Sequence, residues 1–103
     1  MLIPTPKLIS NYLENSEPGT AIEIKQMRND LAASLGADYT CPMTTGIFLR
    51  IVTEFTNELR EAKTHGESLT PVWRVVNPSL PLWKKLSFDS EWILNQRKKE
   101  GIL

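Results

Sequence analysis

The side chains that most often do covalent chemistry are scarce in this chain of 103 residues, which has one cysteine, Cys41, and one histidine, His65. A thiol becomes a nucleophile when a nearby base or positive charge lowers its pKa. Cys41 precedes the longest predicted helix, whereas His65 follows that helix in a predicted polar turn. A lone thiol and a lone imidazole exclude an intramolecular disulfide and are too few ligands for a zinc site. The residue types therefore give an enzyme little support.

Contact with nucleic acid is the second kind of chemistry to consider, because suitable residues stand at the start of the long helix. Met43, Thr44, Thr45 and Arg50 lie in its first turns, where threonine hydroxyls and free backbone amides can contact phosphate. Lys25 stands where the preceding helix is predicted to begin. We expect these five residues to cluster on one DNA-binding face.

The charge balance leaves an alternative open. Lys84 and Lys85 would add phosphate contacts, but three glutamates on the long helix would repel a duplex that they faced: Glu54, Glu58 and Glu61. Twelve basic and twelve acidic residues give a formal net charge of zero. That balance favours a solvated, mixed-charge surface over a strong electrostatic binder.

Helices are predicted to position these residues. Thr5 is a good N-cap and Pro6 a good first residue for the first helix. The alternating residues 20–24 predict a short strand or an extended entry to a second helix over about residues 25–35. Gly36 is predicted to end that helix. The residues that the second helix is predicted to bury are Met27, Leu31 and Leu35.

The longest helix is predicted over about residues 44–63, and its most apolar face is predicted to point into the core. That face consists of Ile47, Phe48, Ile51, Val52, Phe55 and Leu59. The β-branched run at residues 70–76 predicts a strand, residues 78–86 an irregular loop, and residues 89–100 a last helix ending at Gly101. The order fits a single domain over residues 1–103. We predict a mainly α, winged-helix-like helix-turn-helix domain with a short β element.

Four segments resemble a known family. Pro71-Val72-Trp73-Arg74-Val75-Val76 is similar to the Pro-Cys-His-Arg-Val-Val motif in the DNA-binding domain of the O6-alkylguanine-DNA alkyltransferases. Pro18-Gly19-Thr20-Ala21-Ile22, Gly46-Ile47-Phe48-Leu49-Arg50 and Glu100-Gly101 resemble three further family segments in the same order. The resemblance covers roughly residues 6–102 and implies that family's winged-helix fold.

The resemblance also implies that the family's chemistry is lost. Val72 and Trp73 stand where the family has its alkyl-accepting cysteine and the activating histidine, so no alkyl transfer is expected. On a strand, Trp73 would point away from the face of the cysteine position, so we expect it in the core. Arg74 matches the family's arginine. Glu100 matches a glutamate that orients the missing histidine, and we interpret it as an ordinary charged residue in a last helical turn.

Two positions that handle DNA in the family also differ here. Met43 falls near the arginine that replaces a flipped base, and Ile24 falls near the tyrosine that moves the target phosphate. A methionine can wedge a base step but cannot make the arginine's hydrogen bonds. Residues 86–89 replace a glycine-rich segment beside the family's base pocket.

These residues together predict a non-enzymatic DNA-binding protein resembling the alkyltransferase-like proteins, relatives that bind O6-alkylguanine without repairing it. The expected partners are double-stranded DNA and a repair or regulatory protein, with no cofactor and no metal. The alternative is a winged-helix module that binds protein, which predicts an exposed apolar patch near Trp83, Leu86 and Phe88. Without a signal-peptide pattern or a membrane-length apolar run, the chain is predicted to be cytoplasmic and to have no membrane partner.

Overall fold

The computed structural model describes residues 2–62 and 69–102, and the chain is mainly helical there, as predicted. In these two ranges four α-helices follow one another: α1 (Pro6–Glu14), α2 (Ile24–Ser34), α3 (Pro42–Ala62) and α4 (Glu91–Lys99). Two short 3-10 helices, Val72–Arg74 and Pro81–Lys85, stand between α3 and α4. The predicted turn around His65 and the predicted end of the long helix at residue 63 lie outside the described residues.

The first two helices begin and end where local chemistry requires. The Thr5 hydroxyl accepts a hydrogen bond from the Leu8 amide at 3.3 Å, which confirms the predicted N-cap of α1. Gly36 has a φ of +68°, a conformation that glycine adopts at low cost, and it ends α2 as predicted. Leu35 was a wrong prediction for the core, because α2 ends at Ser34 and the Leu35 side chain is half exposed.

Helix α3 is turned about its axis relative to the prediction. Its buried side consists of Thr45, Leu49, Val52, Thr53, Thr56 and Asn57. The predicted core residues Ile47, Ile51 and Phe55 are exposed instead. The difference amounts to about one residue, or roughly 100° of rotation.

The buried threonines of α3 explain why apolar periodicity gave the wrong face. Thr53 donates its hydroxyl to the carbonyl of Leu49 at 2.8 Å, and Thr56 donates to the carbonyl of Val52 at 2.8 Å. A threonine that satisfies its hydroxyl on its own helix presents only its methyl group and Cβ to the neighbours. It therefore packs like a small β-branched apolar residue, which a hydropathy pattern does not record.

The predicted strand at residues 70–76 is wrong, since a 3-10 helix occupies Val72–Arg74. Residues 71–76 are all buried, as their apolar character suggests. Their backbone carbonyls are satisfied without a neighbouring strand: Arg97 donates to the carbonyls of Trp73 and Val76, at 2.6 and 3.4 Å. The Arg74 carbonyl accepts from the Ile22 amide at 2.8 Å. A buried carbonyl needs a hydrogen-bond donor, but the donor need not belong to a neighbouring strand. The Arg97 guanidinium therefore supplies bonds that a strand would otherwise have to supply.

Residues 20–23 of the predicted segment 20–24 form an extended entry to α2, which is one of the two forms predicted, and Ile24 is already the first residue of the helix. The β structure found within the described ranges is a single parallel bridge between Leu2 and Thr40, which joins the N-terminal segment to the loop between α2 and α3. The amide of Cys41 completes it by donating to the Leu2 carbonyl at 2.9 Å.

The long helix α3 is the element around which the others pack. Helix α1 lies against α2 and α3, both 3-10 helices contact α3, and α4 packs on Val72–Arg74. The core between them holds fully buried side chains from each layer, including Ile9, Leu13, Met27, Leu49, Val72 and Ile93. No helix in residues 2–62 or 69–102 combines the length and the apolar character needed to cross a membrane.

Candidate functional site

A groove of about 780 Å³ runs along the exposed side of α3, and we call it the α3 groove. Met43, Ile47, Ile51 and Phe55 form its wall on α3. The opposite wall comes from the 3-10 helix Pro81–Lys85 and the residue before it. The further lining residues include Ile24, Gly46, Arg50, Glu54 and Glu58. The groove is therefore mainly apolar, with charged groups along it.

Two of the five predicted DNA-contacting residues line the α3 groove, namely Met43 and Arg50. Lys25 is exposed next to the groove residue Ile24 but does not itself line the groove. Thr44 is half-buried, and its hydroxyl lies 3.4 Å from the Cys41 carbonyl. Thr45 is fully buried and donates to the same carbonyl at 2.6 Å, so it leaves the candidate set.

The charges along the groove are of both signs. Glu54 accepts hydrogen bonds from the Ser87 amide at 2.9 Å and from the Ser87 hydroxyl at 2.6 Å. Burial raises the pKa of the Glu54 carboxyl, but the bonds from Ser87 and the nearby charge of Arg50 outweigh that effect and lower it. Glu54 is therefore ionised at neutral pH, and Arg50 is its neighbour one helical turn away.

No side chain that lines the α3 groove is a cysteine, serine, threonine or histidine, as far as the structure describes the chain. The two positions that the resemblance relates to alkyl transfer lie elsewhere. Val72 is fully buried in the core, and Trp73 is buried with its ring edge-on to Trp92 at a centroid distance of 6.3 Å. Trp73 therefore packs in the core, where it was expected.

Glu100 is the centre of a second polar arrangement, which we call the Glu100 cluster. Its carboxylate accepts from the Trp73 indole at 2.8 Å and from the Gly19 amide at 2.9 Å. It also accepts two hydrogen bonds from the Arg74 guanidinium, at 3.1 and 3.2 Å. The interpretation of Glu100 as an ordinary charged residue was wrong, because its side chain is only 17% exposed and accepts four hydrogen bonds.

Arg74 links the Glu100 cluster to the end of α1. Its guanidinium donates to the Ser16 hydroxyl at 2.8 Å and to the Ser16 carbonyl at 2.9 Å, and lies 3.4 Å from the Leu13 carbonyl. The Arg74 side chain is only 8% exposed. A buried guanidinium with all these acceptors joins α1, the 3-10 helix Val72–Arg74 and the end of α4. Its role here is structural.

The Glu100 cluster makes stability depend on pH. Burial alone raises the pKa of the Glu100 carboxyl, but the hydrogen bonds from Arg74, Gly19 and Trp73 and the charge of Arg74 lower it to about 2, from an ordinary value of 4.5. A depressed folded-state pKa stabilises the fold above the unfolded value and loses that contribution as pH falls toward the folded value.

We therefore expect the free energy of unfolding to fall by about 3 kcal/mol through Glu100 alone between pH 5 and pH 2. Urea denaturation at a series of pH values measures this. In Glu100→Gln the slope over that window should be clearly shallower. A Gln variant that loses stability with acid as steeply as the wild type would contradict the assignment.

Gly19 is required by both its conformation and its surroundings. Its φ is +83°, and a Cβ there would lie 3.2 Å from the backbone oxygen of Glu100. We expect Gly19→Ala to reduce the free energy of unfolding by about 1–3 kcal/mol. Gly46→Ala is the matched control, because a Cβ at this helical position meets nothing within 4 Å. Equal unfolding midpoints in urea for the two variants would show that the close approach is unimportant.

Comparison of the chain with models of protein families, with curated proteins and with solved structures finds no match. Inference about function therefore starts from the α3 groove and the Glu100 cluster. Sequence reasoning missed the exposure of the α3 wall and the role of Glu100. One signal for Glu100 was present in the resemblance, since it pairs this glutamate with the position of Trp73.

Proposed function

We propose that this chain is a non-enzymatic DNA-binding protein resembling the alkyltransferase-like proteins, built as a variant of the winged-helix domain. The observation that carries the proposal is the lining of the α3 groove. Met43 and Ile24 stand at the two positions that handle a flipped nucleotide in the resembled family, and they line one groove together with Arg50 and Lys85. These residues come from three separate segments, so their meeting is a property of the fold.

The groove has the chemistry that an extrahelical base needs. Flipped bases are held between apolar side chains, and an inserted apolar side chain can fill the space left in the duplex. Ile24, Ile47 and Leu82 line the groove, and Met43 stands exposed at the start of α3 where it can wedge a base step. Arg50, Lys85 and the adjacent Lys25 are the cations that would contact phosphate. The modified base to which the resemblance points is O6-alkylguanine.

The absence of enzymatic activity is part of the proposal. Val72 carries no nucleophile, and the Trp73 indole cannot accept a proton, so no alkyl group can be taken up at these positions. The hydrogen bond from Trp73 to Glu100 supports the resemblance, since in the family a histidine at that position pairs with the glutamate. Here the same pairing holds the fold together and does not activate a thiol.

Titration of labelled duplexes tests the proposal. A duplex with one O6-methylguanine and its unmodified counterpart should be compared by fluorescence anisotropy at 50 and 150 mM salt. We expect at least about tenfold tighter binding of the modified duplex, since selective readout of one base is worth about 1–3 kcal/mol. Equal and negligible binding of both duplexes would refute the proposal.

Substitutions distinguish contacts with the phosphates from contacts with the modified base. Arg50→Ala should weaken binding to both duplexes and reduce the slope of log K against log salt by about 1. Met43→Ala should mainly reduce the preference for the modified duplex. Lys7→Ala is the matched control, because Lys7 is an exposed cation on α1 outside the groove. A control that weakens binding as much as Arg50→Ala would place the DNA on another face.

A protein-binding module is the second candidate, and one observation favours it. The apolar residues on the α3 wall are exposed, and an exposed apolar patch on a small domain often marks an interaction surface. The patch predicted near Trp83, Leu86 and Phe88 is not exposed, because these side chains are half-buried against the core. The surface available to a protein is therefore on α3.

A further inference from the structure

An apolar stripe lies uncovered along the outer side of α3, and we call it the α3 stripe. It consists of Met43, Ile47, Ile51 and Phe55, which are 75%, 50%, 47% and 58% exposed. The four residues are spaced four apart, so they lie above one another on the helix over roughly 18 Å. Together they expose roughly 500 Å² of mostly apolar surface, which is at the upper end for a monomeric domain.

The charges beside the α3 stripe form an ordered row. Arg50, Glu54 and Glu58 follow one another at the same spacing of four residues, and Arg50 and Glu54 stand one position before Ile51 and Phe55. Within the described residues the Arg50 side chain makes no ion pair and no hydrogen bond, and its charge interacts with Glu54. The sign of the charge thus changes between Arg50 and Glu54, the stretch of α3 that contains Ile51.

We propose that two copies of this chain associate through the α3 stripe, with the two α3 helices antiparallel about a twofold axis near Ile51. Ile51 then meets its own copy, and Ile47 of each chain faces Phe55 of the other. Arg50 of each copy comes within a turn of Glu54 of the other, so the four charges alternate around the axis. An interface of this kind uses the same patch on both subunits.

A second copy is the occupant because the stripe is complementary to itself when one helix is reversed. Antiparallel pairing brings the flank with Arg50 and Glu54 of one copy against the same flank of the other, so each guanidinium gains a carboxylate of the partner. In parallel pairing this flank lies on opposite sides of the two helices, and Arg50 does not reach Glu54 of the other copy. An unrelated helix would need the same apolar spacing with the opposite order of charges, and reversed α3 supplies it. A membrane surface with anionic lipid would be repelled by Glu54 and Glu58.

The size of the α3 stripe determines how tightly the two copies are expected to associate. A standard stable interface buries about 800 Å² per partner, and the stripe offers clearly less. Weak association follows, with a dissociation constant of roughly 10–100 µM. The chain should therefore be a monomer at about 1 µM and mainly a dimer at about 500 µM.

Sedimentation velocity across that concentration range tests the proposal, and it contains no DNA, so its result is independent of the DNA proposal. Ile51→Asn should leave the chain monomeric at 500 µM. Arg50→Glu should do the same, because four negative charges then meet at the axis. The double variant Arg50→Glu with Glu54→Arg should recover the dimer, since the alternation of charges is restored.

Two control variants test whether loss of the dimer is specific to changes in the α3 stripe and its charges. Leu94→Asn removes an exposed apolar side chain from α4 and should dimerise like the wild type. Ser87→Ala removes the two hydrogen bonds from the Ser87 hydroxyl to Glu54, at 2.9 and 2.6 Å, leaves the bond from the Ser87 amide, and should still dimerise. All variants should unfold within about 1 kcal/mol of the wild type, because the changed side chains lie at the surface.

Three results would overturn the inference. A wild type that is monomeric at 500 µM would rule out the dimer. Dimerisation that persists in Ile51→Asn would place the interface elsewhere. A double charge variant that stays monomeric, while Ser87→Ala dimerises, would exclude the antiparallel arrangement.

Discussion

Glu100→Ala should lower the free energy of unfolding by about 3–5 kcal/mol, the largest effect that we expect from a single substitution outside the apolar core. The substitution removes an acceptor of four hydrogen bonds and leaves the guanidinium of Arg74 without its counter-charge. Arg74 is 8% exposed, so water cannot replace the carboxylate at little cost.

The measurement is equilibrium denaturation in urea at pH 7, supported by the thermal midpoint. For a domain of this size the midpoint should fall by roughly 15–30 °C. Glu17→Ala is the matched control, because Glu17 is an exposed glutamate at the end of the preceding turn and should cost at most about 0.5 kcal/mol. If both variants unfold at the same urea concentration, the Glu100 cluster contributes no stability.

Arg74→Met should cost about 3–5 kcal/mol as well, for the complementary reason. A methionine fills much of the same space but leaves Glu100 charged and poorly paired. It also leaves the Ser16 hydroxyl and carbonyl without the guanidinium at 2.8 and 2.9 Å. The pKa of Glu100 should then rise, because the hydrogen bonds and charge from Arg74 that lower it are gone.

The double variant Arg74→Met with Glu100→Ala separates the pair from the rest of the structure. It should cost less than the sum of the two single variants, since neither buried charge is then left alone, with a coupling of about 1–3 kcal/mol. Additive losses would mean that the two residues stabilise the fold independently. Arg97 differs from Arg74 in this respect, because it donates to two backbone carbonyls and has no acidic partner among the described residues.

The Glu100 cluster and the α3 groove have different roles in the molecule. The Glu100 cluster joins the segment after α1, the 3-10 helix Val72–Arg74 and the end of α4, whereas the α3 groove lies on the exposed side of α3. Because no residue of the Glu100 cluster lines the α3 groove, variants of the cluster should change stability, whereas substitutions of the α3 wall should change binding. This separation allows the DNA proposal and the dimer proposal to be tested on folded protein.

The positions of the helices could be predicted from the sequence because the residues that start and end a helix act locally. Thr5 and Pro6 start α1, Gly36 ends α2, and the long helix is found within two residues of its predicted start. Each of these signals depends on backbone geometry over a few residues and needs no tertiary contact.

The strand prediction at residues 70–76 failed because burial and strand formation have similar patterns. Val72, Val75 and Val76 are buried, as β-branched residues often are. Whether such a run becomes a strand depends on which groups satisfy its carbonyls, and here Arg97 comes from a helix more than twenty residues further on. A local pattern contains no information about that distant donor.

By itself, the sequence determined a mainly helical chain, the ends of its first helices and a strand-like run that is buried. Only the tertiary structure decided which side of α3 faces the core, because threonines bonded to their own helix compete with isoleucines for burial. Only it brought Glu100 to Trp73, Arg74 and Gly19, since that contact joins residues as many as 81 positions apart. Periodicity reports what each residue prefers, whereas packing decides among preferences that cannot all be met.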